Sequence, residues 1–132
     1  VEFNVNTKSG EELIDVTRLV GKAVAESRVR DGFCIVYCPH TTAGVTVNEN
    51  ADPDVKADIL KSLRDIVRDV GFRHSEGNSP AHVKSSIVGC STLIPVEDGR
   101  LVLGTWQGIY FCEFDGPRRR KLVITVTASA EN

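Results

Sequence analysis

Apolar residues recur at two periods along this chain, and the periods divide it into strands and helices. Glu2 to Val5 and Leu13 to Val16 read as short strands around the turn-forming Lys8-Ser9-Gly10, which predicts an opening hairpin. Thr17 stands where a helix N-cap belongs. Leu19, Val20, Ala23 and Val24 follow at helical spacing, so a helix is expected over 18–28. Phe33 to Cys38 is rich in β-branched and aromatic residues, and Gly44 to Asn48 alternates Val45 and Val47 with Thr46 and Asn48; both read as strands. A first strand continued through Pro39 places Cys34, Val36, Cys38 and His40 on one face, with His40 at its end.

The clearest helical pattern comes next. Asp52 suits the N-cap and Pro53 the first helical position, after which Val55, Ile59, Leu63, Ile66 and Val70 recur at spacings of four and three, predicting a helix over 53–70 stopped by Gly71. Its other side alternates Lys and Arg with Asp, the pattern of a solvated, salt-bridged face. Phe72 to Ala81 reads as a loop carrying His74 and Glu76, followed directly by His82-Val83-Lys84. Thr92 to Val96, Leu101 to Leu103, Gln107 to Phe114 and Lys121 to Ala128 complete the strands. Glu97-Asp98-Gly99-Arg100 is a hairpin turn, and Asp115-Gly116-Pro117 is read as joining the last two strands antiparallel. The sum is a mainly β protein: one antiparallel, jelly-roll-like β-sandwich domain over 1–132, with two α-helices packed on or inserted into it.

Composition narrows the function classes. A length of 132 residues with 41% hydrophobic content fits one globular domain with its own core. A net charge of -2 lacks the broad cationic excess of a general nucleic-acid binder. The apolar runs are far shorter than a membrane span and no leader opens the chain, so no membrane and a soluble cytoplasmic protein are expected; the absence of Met implies a removed initiator. Cys34 and Cys38 sit roughly 13 Å apart on an extended strand, too far to bridge, and no C-x-x-C pair occurs, so Cys34, Cys38, Cys90 and Cys112 are expected as reduced thiols.

Polar chemistry concentrates in Pro39 to Val55, where one imidazole, three hydroxyls, two carboxamides and three carboxylates lie between an apolar strand and a long helix. Several stretches of the chain resemble the YjbQ family: His40-Thr41-Thr42-Ala43, Asn48 through Val55, His82-Val83-Lys84, Ser91 through Pro95 and Gly99 to the Gly104-Thr105-Trp106-Gln107 signature, and Glu113 through Arg118. The resemblance covers nearly the whole chain. It implies a β-sandwich protomer in a homotrimer and secondary thiamine-phosphate synthase activity, which joins a pyrimidine diphosphate to a thiazole phosphate and releases pyrophosphate.

Displacing pyrophosphate builds negative charge on the leaving group, so such a site needs a cation, cationic side chains or N–H donors. His40, Glu49, His82, Lys84 and Glu113 are the candidate catalytic residues; Thr41, Thr42, Asn48, Trp106, Gln107, Asp115 and Arg118 are candidates for holding a small phosphorylated metabolite. His40, His74 and His82 are candidate metal ligands, although their spacings match no known motif. A divalent ion held by imidazole and carboxylate is zinc, manganese or iron more readily than magnesium. Arg118 and Arg120 alternate on one face of the last strand and offer a bidentate phosphate grip, against the alternative of a solvated basic hairpin. Trp106 reads as a core or interface residue or a platform for a planar ring, and Glu113, continuing the apolar row of Ile109 and Phe111, calls for a partner such as Arg118 or Lys84. Three readings stay open: a transferase or metal-dependent phosphate-ester hydrolase, a noncatalytic metal- or metabolite-binding protein, and a structural assembly module.

Overall fold

The computed structural model describes residues 1–130. Eight strands and three helices follow in the order β1 (Glu2–Asn6), β2 (Glu12–Asp15), α1 (Thr17–Ser27), β3 (Gly32–Tyr37), β4 (Ala43–Glu49), α2 (Pro53–Ile66), α3 (Ser79–Val88), β5 (Ser91–Glu97), β6 (Arg100–Leu101), β7 (Gln107–Glu113) and β8 (Arg119–Ala128). All pairings are antiparallel. One sheet runs β1-β8-β3-β5-β6 and the other β2-β7-β4.

The two sheets face each other across one core. Cys34, Val36, Ile94, Leu122 and Ile124 from the larger sheet meet Ala43, Val45, Ile109 and Phe111 from the smaller, and α1 adds Val20, Ala23 and Val24. A second cluster, Leu13, Leu63, Ala81, Tyr110, Cys112 and Phe114, covers the outer face of the smaller sheet with α2 and α3. Central β7 is therefore buried on both faces, and burial of its apolar side chains contributes on the order of 1.5–3 kcal/mol each.

Several expectations change here. The opening hairpin does not form, because β1 pairs with β8 and β2 with β7, each in a different sheet. The last two strands do not pair either: the Asp115-Gly116-Pro117 segment carries the chain from one sheet to the other. Thr17 is the first residue of α1 instead of its N-cap, and its hydroxyl bonds Asp15 and receives the Ile109 N–H. Asp52 does cap α2, accepting the Asp54 N–H at 2.9 Å. That helix ends at Ile66, four residues early, because Val67 turns to extended backbone and buries its own side chain while Ile66 and Val70 are left exposed. The strand at Leu101 to Leu103 shortens to Arg100–Leu101.

α3 is the element that periodicity hid. Its inward face is Ala81, Lys84 and Ser85, whereas Val83 and Ile87 face outward, so apolarity and burial run in opposite senses along it. The available cue was Asn78 followed by Pro80 in the first turn, a helix-start pattern inside a stretch read as loop.

Candidate functional site

The predicted site residues separate into two groups at opposite ends of the β4–β7 ladder. Ala43 pairs with Glu113 at one end and Glu49 with Gln107 at the other, roughly 20 Å along the strand. His40, Thr41, Thr42, His82, Lys84, Glu113, Asp115 and Arg118 gather around the first end. Asn48, Glu49, Trp106 and Gln107 lie at the second and are not brought to the histidines. There the Asn48 side chain accepts the Glu49 N–H, the Glu49 carbonyl accepts the Tyr110 hydroxyl, and the Gln107 side chain accepts the Gly104 N–H. Trp106 is 63% exposed and not a core residue. The glycine that matters beside it is Gly108, whose Cβ would collide with the Asn50 side chain.

At the first end the organising feature is a buried ion pair. Glu113 is fully buried and its partner is Arg120, which sequence reasoning passed over in favour of Arg118 or Lys84. Arg120 Nε donates to both Glu113 oxygens at 2.9 and 3.2 Å, and its terminal nitrogen reaches the same carboxylate and the Thr42 hydroxyl. The Thr7 hydroxyl and the Asp115 N–H complete the shell of the carboxylate. Burial pushes the Glu113 acid up, but Arg120, Thr7 and the Asp115 N–H outweigh it and hold it below the usual carboxylate range. The alternation of Arg120 with Leu122 and Ile124 was the sequence signal for its inward position. Arg118 instead turns to Asp115, donating to its carboxylate at 3.0 Å and its carbonyl at 2.7 Å, so the two arginines form no joint grip.

Two cavities flank α3 beside this ion pair. One, of about 530 Å³, is lined by His40, Thr41, His82, Ser85, Ser86 and Cys90. His40 Nε2 accepts the Lys121 N–H at 2.9 Å, so in the neutral ring the proton lies on Nδ1. Burial and the nearby Arg120 charge lower its pKa and favour that neutral form. His74 stacks edge-on against His82 with ring centroids 5.6 Å apart. A metal at His40 would have to displace the Lys121 N–H or take a proton from Nδ1. Among the described residues no group of three or more His, Cys, Asp or Glu is arranged to hold an ion. The three histidines thus do not fit a common metal site in this arrangement.

The other cavity, of about 540 Å³, is lined by Glu11, Arg64, Asn78, Lys84, Phe114 and Asp115 among others. Lys84 is only 6% exposed and donates to Glu11 at 2.7 Å, while Arg64 approaches the other Glu11 oxygen at 3.6 Å. Lys84 and Arg64 are matched within the lining by Glu11 and Asp115, and Asp115 is in turn met from outside it by Arg118. The N-terminal end of α3, with no acid in its first turn, opens onto the same space. Asp115 is occupied by Asn78 at 3.0 Å and by Arg118, and is held below the usual carboxylate range by those bonds against the effect of burial. Glu11, Arg64 and Asn78 are contributions that the sequence did not reveal, because three separate segments supply them.

The whole chain has known relatives. A model of the family described as UPF0047 protein YjbQ-like matches residues 1–129. A UPF0047 protein of Methanocaldococcus jannaschii is 52% identical over 126 residues, covering 95% of this chain and 91% of its own. The UPF0047 protein YugU of Bacillus subtilis is 53% identical over 124 residues, 92% and 94% of the two chains. Among solved structures, an uncharacterised YjbQ/UPF0047 protein from Clostridium acetobutylicum superposes with a TM-score of 0.94 at 55% identity, covering 96% of this chain and 99% of the other. A protein of unknown function from Sulfolobus solfataricus superposes at 0.93 with 30% identity, covering 98% and 96%. With the family model spanning nearly every residue and close relatives aligned end to end, this chain belongs to the YjbQ-like UPF0047 family.

Proposed function

We propose that the protein binds a small phosphorylated metabolite, with the phosphate seated between Lys84, Arg64 and the start of α3, and that it acts as a transferase on it. The observation that carries this reading is the nearly buried Lys84 sharing Glu11 with Arg64 on the wall of a cavity large enough for a nucleotide-sized ligand. Cationic groups held in place before the substrate arrives stabilise charge that develops on a leaving phosphate. Thiamine-phosphate synthase activity, with pyrophosphate as leaving group, is the version implied by the resemblance. The His40–His82 cavity lies on the other side of α3, where His40 offers Nδ1–H as a neutral donor and the His82 ring lines the wall. No metal is invoked.

The proposal extends to assembly as a cytoplasmic homotrimer. Phe33, Ile35, Tyr37 and Leu93 stand exposed on the outer face of the larger sheet, and Ile35 and Leu93 are direct cross-strand neighbours. A contiguous apolar patch of this kind favours association. Among the described residues no helix is long and apolar enough to cross a membrane.

Incubating purified protein with a hydroxymethylpyrimidine diphosphate and a thiazole phosphate, and measuring pyrophosphate, tests the activity. Lys84→Met should abolish release and phosphate binding together. Pyrophosphate release by Lys84→Met at the wild-type rate would dismiss the site. Binding of the phosphates by wild-type protein without any release would leave a noncatalytic metabolite-binding protein.

A further inference from the structure

We infer that Cys38 and Cys90 are a peroxide-sensitive cross-strand dithiol that closes to a disulfide in the wall of the His40–His82 cavity. β3 and β5 pair with Val36 against Thr92 and Tyr37 against Ser91, and one further step of that register sets Cys38 against Cys90. The Cys38 N–H donates to the Cys90 carbonyl at 2.7 Å, so the pairing does reach this point. This is one of the two bonds of a hydrogen-bonded antiparallel pair, in which opposed Cα atoms stand about 5.5 Å apart, inside the range of about 4.4–6.8 Å that disulfides span. Opposed side chains also leave the same face. Cys34, Val36 and Cys38 take the buried positions along β3, and Cys90, opposite Cys38 just before β5, lies where that face opens into the cavity.

The pair is asymmetric. Cys38 is 1% exposed, whereas Cys90 is exposed and lines the cavity. Burial chiefly, with a smaller contribution from the neighbouring Cys90, pushes the Cys38 thiol up to about 11. Peroxide therefore reaches the accessible Cys90 sulfur first. That sulfur attacks one oxygen of hydrogen peroxide, forming an S–O bond, breaking the O–O bond and releasing hydroxide. The Cys38 sulfur then attacks the Cys90 sulfur, the S–O bond breaks, and the departing hydroxide leaves as water with the proton from Cys38. In balance, two thiols and one peroxide give one disulfide and two waters. The second step is slow, because a buried thiol of high pKa is a poor nucleophile. The other cysteines lack this geometry: Cys34 faces Ile94, and Cys112 belongs to the other sheet, facing Leu13 and Gly44. The site is independent of the phosphate reading.

Hydrogen peroxide treatment of the folded protein, followed by unfolding, alkylation and non-reducing peptide mapping, tests the assignment. The expected products are a dithiothreitol-reversible link between the Cys38 and Cys90 peptides, an intact mass lower by two hydrogens, and Cys34 and Cys112 fully alkylated. Dimedone should trap Cys90 sulfenic acid transiently in the native chain and persistently in Cys38→Ala. Cys90→Ser, at an exposed position, should keep Cys38 alkylatable. Cys38 recovered unlinked while Cys90 is overoxidised or joined to a second molecule overturns the proposal, as does a link from Cys38 to Cys112.

Discussion

Glu113 and Arg120 show how one residue's environment decides its role. Both are almost solvent-free, and each would be left as an uncompensated charge if the other were removed. Arg120→Ala should therefore cost about 3–5 kcal/mol in urea unfolding. Arg118→Ala removes a half-exposed ion pair with Asp115 and should cost less than about 1 kcal/mol. A Glu113 pKa held below its unfolded value adds stability that is present above the unfolded pKa of about 4.3 and is lost as pH falls through the folded one. His40 also loses stability toward acid, for the opposite chemical reason. Its folded pKa is lowered, so the unfolded chain binds the proton first, and stability declines as pH drops from about 6.5 through the folded value. His40→Gln, which can still accept the Lys121 N–H, should flatten the thermal-melt dependence on pH in that window. His40→Ala should cost about 0.5–1.5 kcal/mol at neutral pH by losing that bond. An unchanged pH slope in His40→Gln would show that another group titrates there.

At the scale of elements, α3 sets both cavities, and its attachment to β4 is made by few groups. The Ser85 hydroxyl donates to the Ala43 carbonyl at 2.7 Å, and the Val45 N–H donates to the Gly89 carbonyl at 3.0 Å. Gly44 permits this approach, since a Cβ there would stand 2.6 Å from the Gly89 oxygen and 3.2 Å from Val88. Gly44→Ala should accordingly push the end of α3 outward, seen as faster amide exchange over 79–88 and a stability loss of about 1–3 kcal/mol from the overpacked contact. Ser85→Ala should lose about 1–2 kcal/mol by leaving the Ala43 carbonyl unpaired. If Gly44→Ala leaves exchange over α3 unaltered, the helix is held from its other side.

For the whole molecule the decisive feature is an outer sheet face that water alone does not suit. Ile35 and Leu93 lie side by side on it, with Leu93 at 64% exposure. Light scattering of the native chain should give about three times the 14.4 kDa protomer mass. Leu93→Glu should shift that mass down while leaving the far-ultraviolet circular dichroism unchanged. A native mass near one protomer would remove the homotrimer.

Local pattern was enough for most of the elements. The alternation in β3, β4, β7 and β8 and the capped heptad-like run of α2 are short-range signals, carried by side-chain period and by single residues such as Asp52 and Pro53. From the same alternation, the inward course of Glu113 was legible and that of Arg120 was available. Pairing was another matter. Which sheet β1, β2 and β8 join depends on burying both faces of β7 at once, a condition that no window of sequence contains. α3 escaped because its buried positions are Ala81, Lys84 and Ser85, residues that become favourable inside only when Glu11 and the Ala43 carbonyl are there to meet them. The motif residues were legible as chemistry but not as neighbours. Tertiary structure placed His40 with His82 and Lys84 with Arg64, and it set Glu49 and Trp106 at the far end of the ladder, because strand register converts a few residues of sequence into many ångströms of distance.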